Sequence, residues 1–215
     1  MFTRVYKFYS KRWALDALAK KRLKISTLSD LNDPFEFIGP SSSDRNQRFI
    51  WHKSAKEVFQ ERGLISFSKS WSNPVIWSHY AENHRGAALG FDVSSKWLTR
   101  VRYRSKRLTM PDLSKASEQS KIHLFEMGQA TKYIHWKYEQ EYRVFVTLDT
   151  PDEGKYFKDF DGDMVLREVV LGPNFEGRSE DIFCAFGSRD IEVVTTRLAF
   201  NSYSVVRQRL ASQQK

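Results

Sequence analysis

Hydrophobic and polar positions change period repeatedly along this chain, and each change marks an element. Residues 3–8 alternate, with Val5 on one side and Tyr6 and Phe8 on the other, which predicts a strand. A short helix follows over 11–20, offering Trp13, Leu15 and Leu18 for packing, and then a strand over 22–26. The cluster at 31–36 has turn chemistry, the segment 46–62 has helical periodicity, and 64–68 predicts a short strand. Asn73 fits an N-cap and Pro74 the first helical position of a helix that carries Ile76, Trp77, Tyr80 and Ala81 and ends near Gly86. Strands are expected at 87–92, 99–104, 141–147, 165–172 and 191–198, and helices at 114–134, the longest candidate, and 177–186. The piece 200–210 suits either type.

This irregular order of strands and helices predicts an α+β fold: a single domain over 1–210, with a mixed, mainly antiparallel sheet and flanking helices. The polar end, 211–215, is expected to be a tail outside the core.

Composition adds three constraints. Hydrophobic residues make up 40% of the 215 positions, enough for a core, and the formal charge of +9 suits a phosphate-bearing ligand, either a nucleotide or a nucleic acid. The single Cys184, in an apolar run, reads as a small core residue and excludes an intrachain disulfide. No stretch is long and apolar enough to span a bilayer, and the start of the chain lacks the h-region of a signal peptide, so the expectation is a cytoplasmic protein with no membrane partner.

Several chemistries lack their signatures. There is no glycine-rich dinucleotide fingerprint, phosphate-loop lysine or nucleophile elbow. The five histidines show no metal-ligand pairing, so no metal is assigned. Asp159, Asp161 and Asp163 resemble the start of a calcium loop, but Val170 stands where its bidentate glutamate belongs, and the segment reads as a polar turn. Asp152, Glu153 and Lys155 imitate parts of a metal-dependent nuclease signature, but they lie close enough together to form one hairpin turn.

Three clusters remain as a candidate site. In the first, period two would put Glu139, Glu141 and Arg143 on one strand face, with Tyr142, Val144 and Val146 toward the core. The alternative is a solvated face with one Glu–Arg pair. In the second, Ser66 and Ser68 share a face and can orient a ribose or phosphate, while Trp77 and Tyr80 share a helix face and either stack on a flat ring or fill the core. The third holds Asn32, Asp33 and Glu36: Asp33 or Glu36 at a cleft rim, or an Asx-type turn with Phe35 plugged into the core.

Taken in order, these residues resemble the uncharacterised bacterial and phage family known as domain of unknown function 2971 (DUF2971). The shared pattern is Tyr6-Lys7-Phe8, Asn32-Asp33-Pro34-Phe35-Glu36, Ser66-Phe67-Ser68, Trp77-Ser78-His79-Tyr80-Ala81, Gly86, Phe91, Tyr103, Lys132, Trp136, Tyr138-Glu139-Gln140-Glu141, Arg143 and Val170-Leu171-Gly172, over roughly the first 175 residues. The order basic residue, Ser-x-Ser, Glu-x-Glu also resembles the Arg–Ser–Glu class of mono-ADP-ribosyltransferases. That resemblance implies an ADP-ribosyltransferase-like fold and NAD as substrate. It implies Arg4 or Lys7, on opposite faces of one strand, at the pyrophosphate, and Ser66 and Ser68 at the nicotinamide pocket. Glu141 would sit on the nicotinamide ribose, Glu139 would activate the acceptor, and Tyr6, Trp77, Tyr80 and Arg143 would complete the NAD site. A toxin or phage-defence effector that modifies protein or nucleic acid is the implied role. A non-catalytic module that binds nucleotides or nucleic acids is the alternative reading of the same basic chain.

Overall fold

The computed structural model describes residues 1–33, 35–36 and 39–215. In chain order these form β1 (Phe2–Tyr9), α1 (Lys11–Lys20), β2 (Arg22–Ile25), α2 (Arg45–Glu61), β3 (Arg62–Ser68), α3 (Pro74–Tyr80) and β4 (Ala87–Ser94). There follow β5 (Thr99–Arg100), β6 (Arg102–Arg104), α4 (Glu118–Gln129), β7 (Thr131–Tyr133), a 3-10 helix (Ile134–Glu139) and β8 (Glu141–Thr147). The chain continues through β9 (Tyr156–Asp159), β10 (Met164–Leu171), α5 (Ser179–Phe186), β11 (Glu192–Leu198) and β12 (Val205–Arg207).

The fold is α+β, built on a mixed sheet of eight strands in the order β12-β11-β10-β4-β1-β3-β8-β5. Its pairs are antiparallel except β10 with β11. Two small ribbons, β2 with β9 and β6 with β7, flank it. The central strands are covered on both faces, so β4 reads as an apolar run from Ala87 to Phe91 rather than an alternation. Val5, Leu89, Phe91, Val169 and Leu171 pack under Leu18 of α1 and Ile182 of α5. On the other face Phe8, Ala88, Val170 and Val194 pack against Ile76 and Trp77 of α3. Gly86, at the start of β4, lies so close to the end of β1 that an added Cβ would come within 1.9 Å of the Tyr9 carbonyl.

One irregularity positions the site. β1 follows β4 along its whole length, from Phe2↔Ser94 to Tyr9↔Ala87, and β3 likewise follows β8 from Arg62↔Thr147 to Ser68↔Glu141. Between β1 and β3, however, the register among the described residues is Tyr6↔Ser68 alone. The sheet opens there, and the two strands diverge on one side of that pair.

Several expectations need correction. The helix expected over 114–134 is only α4, capped by the Ser117 hydroxyl. It ends at Gln129, and Thr131, Lys132 and Tyr133 instead form β7 beside β6, where tertiary pairing overrides a helical reading. The strand expected over 99–104 breaks at Val101, whose N–H donates to the Glu141 carbonyl while the N–H of Arg102 donates to Ala130. Strand β9 had no sequence expectation. Cys184 is exposed rather than a core residue, because Ile182 occupies the inward position of α5. Asp152 and Lys155 bridge each other in a tight turn, the hairpin reading of the nuclease-like segment. The polar end carries a 3-10 turn at Ala211–Gln213, and the Lys215 N–H donates to Thr195 Oγ1 at 3.1 Å, so the end lies against β11 rather than apart from the domain.

The start of α3 follows its sequence signal: Asn73 Oδ1 accepts the Val75 N–H at 2.9 Å and Pro74 occupies the first turn. Replacing Asn73 with alanine is expected to cost about 1 kcal/mol. Urea unfolding should show this as a lower midpoint with an unchanged slope, and an unaltered midpoint would show that the cap contributes nothing.

Candidate functional site

The opening between β1 and β3 is a cavity of about 250 Å³. Its walls include Tyr6 and Lys7 from β1, Ser66 and Ser68 from β3, Asn32 and Glu36 from the segment before α2, Tyr80 from α3, and Lys132, Glu139 and Glu141. Residues separated by more than a hundred positions therefore face one hollow.

Beneath it lies a buried ionic cluster. Lys132 is its hub, with Nζ at 2.7 Å from Glu139 Oε2, 2.8 Å from Glu36 Oε1 and 3.5 Å from Glu141 Oε2. Arg143 grips the Glu141 carboxylate with two nitrogens, Nε to Oε1 at 2.8 Å and Nη2 to Oε2 at 3.0 Å. The same Nη2 donates to Glu36 Oε2 at 3.0 Å, and Nη1 donates to the Gln129 carbonyl at 2.8 Å. All five side chains are buried. Such charges are tolerated only when each is paired and hydrogen-bonded. Three carboxylates against two cations leave the cluster with surplus negative charge.

The two glutamates of Glu-x-Glu reach this cluster by a route the period-two reading did not contain. Glu139 is not on the strand; it ends the 3-10 helix, and Gln140 follows in the left-handed region at φ 46°. That turn, rather than strand alternation, brings Glu139 onto Lys132 beside Glu141. Glu141 and Arg143 do share a face of β8, opposite Ser68 and Ser66 on β3. Tyr142, Val144 and Val146 pack toward the main core.

Environment separates the two carboxyls. Burial pushes Glu139 upward, against the opposing pull of Lys132, and its carboxyl stays above the usual range. Burial also acts upward on Glu141, but Arg143, Lys132 and a hydrogen bond from Ser66 outweigh it and hold the group at about 2. Two titratable groups pushed apart at one cavity are the arrangement that acid–base chemistry uses. Tyr80 Oη donates to Glu139 Oε1 at 2.5 Å and accepts from Asn32 Nδ2 at 2.6 Å. Burial pushes the Tyr80 hydroxyl up and the nearby Glu139 adds to this, so it stays protonated as the donor. Desolvation brings the Lys7 ammonium down to about 8, partly offset by Glu141.

Other expected site residues have different places. Arg4 does not line the cavity. Its guanidinium is held by Asp92 at 2.7 Å and Glu168 at 2.5 Å on the sheet surface, so Lys7 is the cation that β1 supplies. Tyr6 lines the cavity, but its hydroxyl donates to Glu168 at 3.0 Å. Trp77 is core, fully buried edge-on against Phe8 at 4.9 Å, with Nε1 bonded to the Trp71 carbonyl. Arg143 lies behind the cavity wall and orients Glu141. The Ser68 hydroxyl sits 2.7 Å from the Glu139 carbonyl and 2.8 Å from that of Ser70, so it anchors the loop that presents Glu139. Asp33 Oδ1 accepts the Phe35 N–H at 2.9 Å in an Asx turn, but Phe35 is 62% exposed and not plugged into the core. Pro34 lies outside the described residues. Lys132 was no candidate from spacing; it appeared only as a position of the family pattern, which was its one signal.

Residues 76–144 match the model of a protein family of unknown function, DUF2971. The chain resembles DUF2971. The matched DUF2971 segment is narrower than the span of the sequence pattern; it supplies Tyr80, Lys132, Glu139, Glu141 and Arg143, while Lys7, Asn32, Glu36 and Ser66 come from before it. No curated protein and no solved structure matches the chain.

The cluster dictates how stability responds to pH. Glu141 titrates below its unfolded value of about 4.3, so its contribution is full above that pH and is lost as pH falls through about 2. Lys132→Met would leave three buried carboxylates with Arg143 as their cation and is expected to cost about 3–5 kcal/mol at neutral pH. The deficit should be smaller in mildly acidic buffer than at neutral pH, because Glu139, already raised, takes up a proton before Glu141 does. Denaturant unfolding of both proteins at the two pH values measures this, and equal stability at neutral pH would contradict the role given to Lys132.

Proposed function

We propose that this cavity transfers a ribosyl group, with NAD as the donor, in the manner of an ADP-ribosyltransferase. The observation that carries the reading is the pair Glu139 and Glu141, one carboxyl raised and one held at about 2, facing the same hollow.

The chemistry requires three things of the protein. When the bond between ribose C1′ and the nicotinamide nitrogen breaks, its electron pair goes to the nitrogen and positive charge develops on the ribose. Glu141, ionised and fixed by Arg143, stabilises that charge without reorganising. An acceptor oxygen or nitrogen then bonds to C1′ and gives its proton to Glu139, whose raised pKa makes it the better base. The surplus of carboxylate in the walls suits the cationic nicotinamide ring and ribose, whereas Lys7 is placed for a phosphate oxygen. A volume of about 250 Å³ suits the nicotinamide riboside half, with the remainder of the dinucleotide outside. Tyr80 offers the ring that Trp77, buried in the core, does not. The toxin or phage-defence role implied by the sequence resemblance rests on this same chemistry.

Glu139→Gln preserves shape and is expected to lower nicotinamide release from NAD by about a hundredfold or more while circular dichroism stays unchanged. Tyr80→Phe, which removes the donor to Glu139, should lower it less. Wild-type protein that shows neither a thermal shift with millimolar NAD nor nicotinamide release in the presence of cell extract would end the proposal.

A further inference from the structure

Beside this site runs the longest series of cations in the chain without an intervening acidic residue. Between Asp92 and Asp112 stand Lys96, Arg100, Arg102, Arg104, Lys106 and Arg107, with no acidic residue among them. All six are exposed. Among the described residues Arg100, Arg102, Arg104 and Lys106 have no carboxylate partner, whereas Lys96 pairs with Asp163 at 3.3 Å. Unpaired like charges along one extended segment repel each other and gain from a polyanion.

The segment lies between two hollows. On one side a cavity of about 420 Å³ is lined by Arg104, Lys106, Arg107, Tyr133 and Asp33. On the other a groove of about 950 Å³ takes Arg100, Arg102, Arg62 and Lys137. Arg102 and Arg104 share a face of β6, about 7 Å apart, close to the repeat of phosphates along an extended strand. Tyr133, 45% exposed, stands in register with Arg104 on the neighbouring β7 and lies tilted by 33° against His135 with ring centres 4.8 Å apart. Asp33 contributes an oxygen, Oδ2, that is buried and has no hydrogen-bond partner among the described residues.

We propose that this strip holds a single-stranded polynucleotide. The arginines and Lys106 track its phosphates, Tyr133 stacks on an unpaired base, and Asp33 Oδ2 accepts from a base amino group or a ribose hydroxyl in the smaller cavity. An acidic peptide would satisfy the cations, but it would bring carboxylates against Asp33 and leave Tyr133 without a flat partner. A duplex would keep its bases away from both. The proposal stands apart from the glycosyl-transfer reading, since it involves neither Glu139 nor Glu141. Glu36 and Lys132 line the smaller cavity as well as the glutamate cavity, so the strand would lie against the back of the ionic cluster.

The test is fluorescence anisotropy of a labelled mixed-sequence single strand, as RNA and as DNA, without NAD and over a salt series. Wild-type protein should bind with a steep salt dependence. Arg102→Ala/Arg104→Ala/Lys106→Ala should bind at least about tenfold more weakly, with the log–log slope smaller by about 2 for three lost phosphate contacts. Lys53→Ala/Lys56→Ala, on α2, should bind like wild type, and Tyr133→Ala should weaken binding with the slope unchanged. The proposal is overturned by absence of binding at low salt, by an equal loss in the α2 variant, by tighter binding of the matching duplex, or by equal competition from polyglutamate of the same charge. Binding that survives in a protein without NAD chemistry would uphold the strip and reject only the transferase reading.

Discussion

Burying five charged side chains in one place is expensive, and the arrangement of this fold around Lys132 answers that cost. An ammonium removed from water needs carboxylates within hydrogen-bond reach, and the three that supply them come from the segment before α2, the end of a 3-10 helix and the start of β8. Arg143 closes the cluster by tying Glu141 to Glu36 and to the Gln129 carbonyl at the end of α4. The pairing thus fixes how α4, β7, β8 and the 32–36 segment meet. Apolar contacts of Leu31, Phe59, Leu64, Phe125 and Phe145 lie beside it, and Tyr142, Val144 and Val146 turn toward the main core.

The same pairing divides the labour of two otherwise equivalent glutamates. Glu141 receives a bidentate guanidinium, which together with Lys132 and Ser66 stabilises its charge more than burial penalises it. Glu139 has a share of one ammonium and a tyrosine hydroxyl, which do not overcome desolvation. The turn at the left-handed Gln140, between two glutamates two positions apart, therefore becomes a difference in protonation behaviour. The opening between β1 and β3 gives both groups a space to act on.

Charge is distributed with opposite sign on the two sides of this cluster. The glutamate cavity has surplus carboxylate, while the edge formed by β5, β6 and the residues after them carries arginines with no carboxylate partner among the described residues. The two hollows share Glu36 and Lys132 as a wall. The two signs of charge thus stand within a few side chains of each other, a separation that net charge alone would not suggest.

By itself the sequence determined what depends on neighbours in the chain. The alternation of 3–8 and 141–147, the Asn73-Pro74 helix start and the limits of α1 are set by local sterics, caps and side-chain period, and all are present in the fold. It also singled out Glu139, Glu141, Ser66, Lys7, Tyr80 and Glu36 by residue type and order. Tertiary structure decided everything that depends on partners from far along the chain. It ended the long helix early because β7 found β6, left Cys184 outside, drew Trp77 into the core and committed Arg4 to Asp92 and Glu168. It also made Lys132 the hub. A lysine between a threonine and a tyrosine carries no local signal of burial, because the free energy that permits its burial comes from carboxylates on other segments.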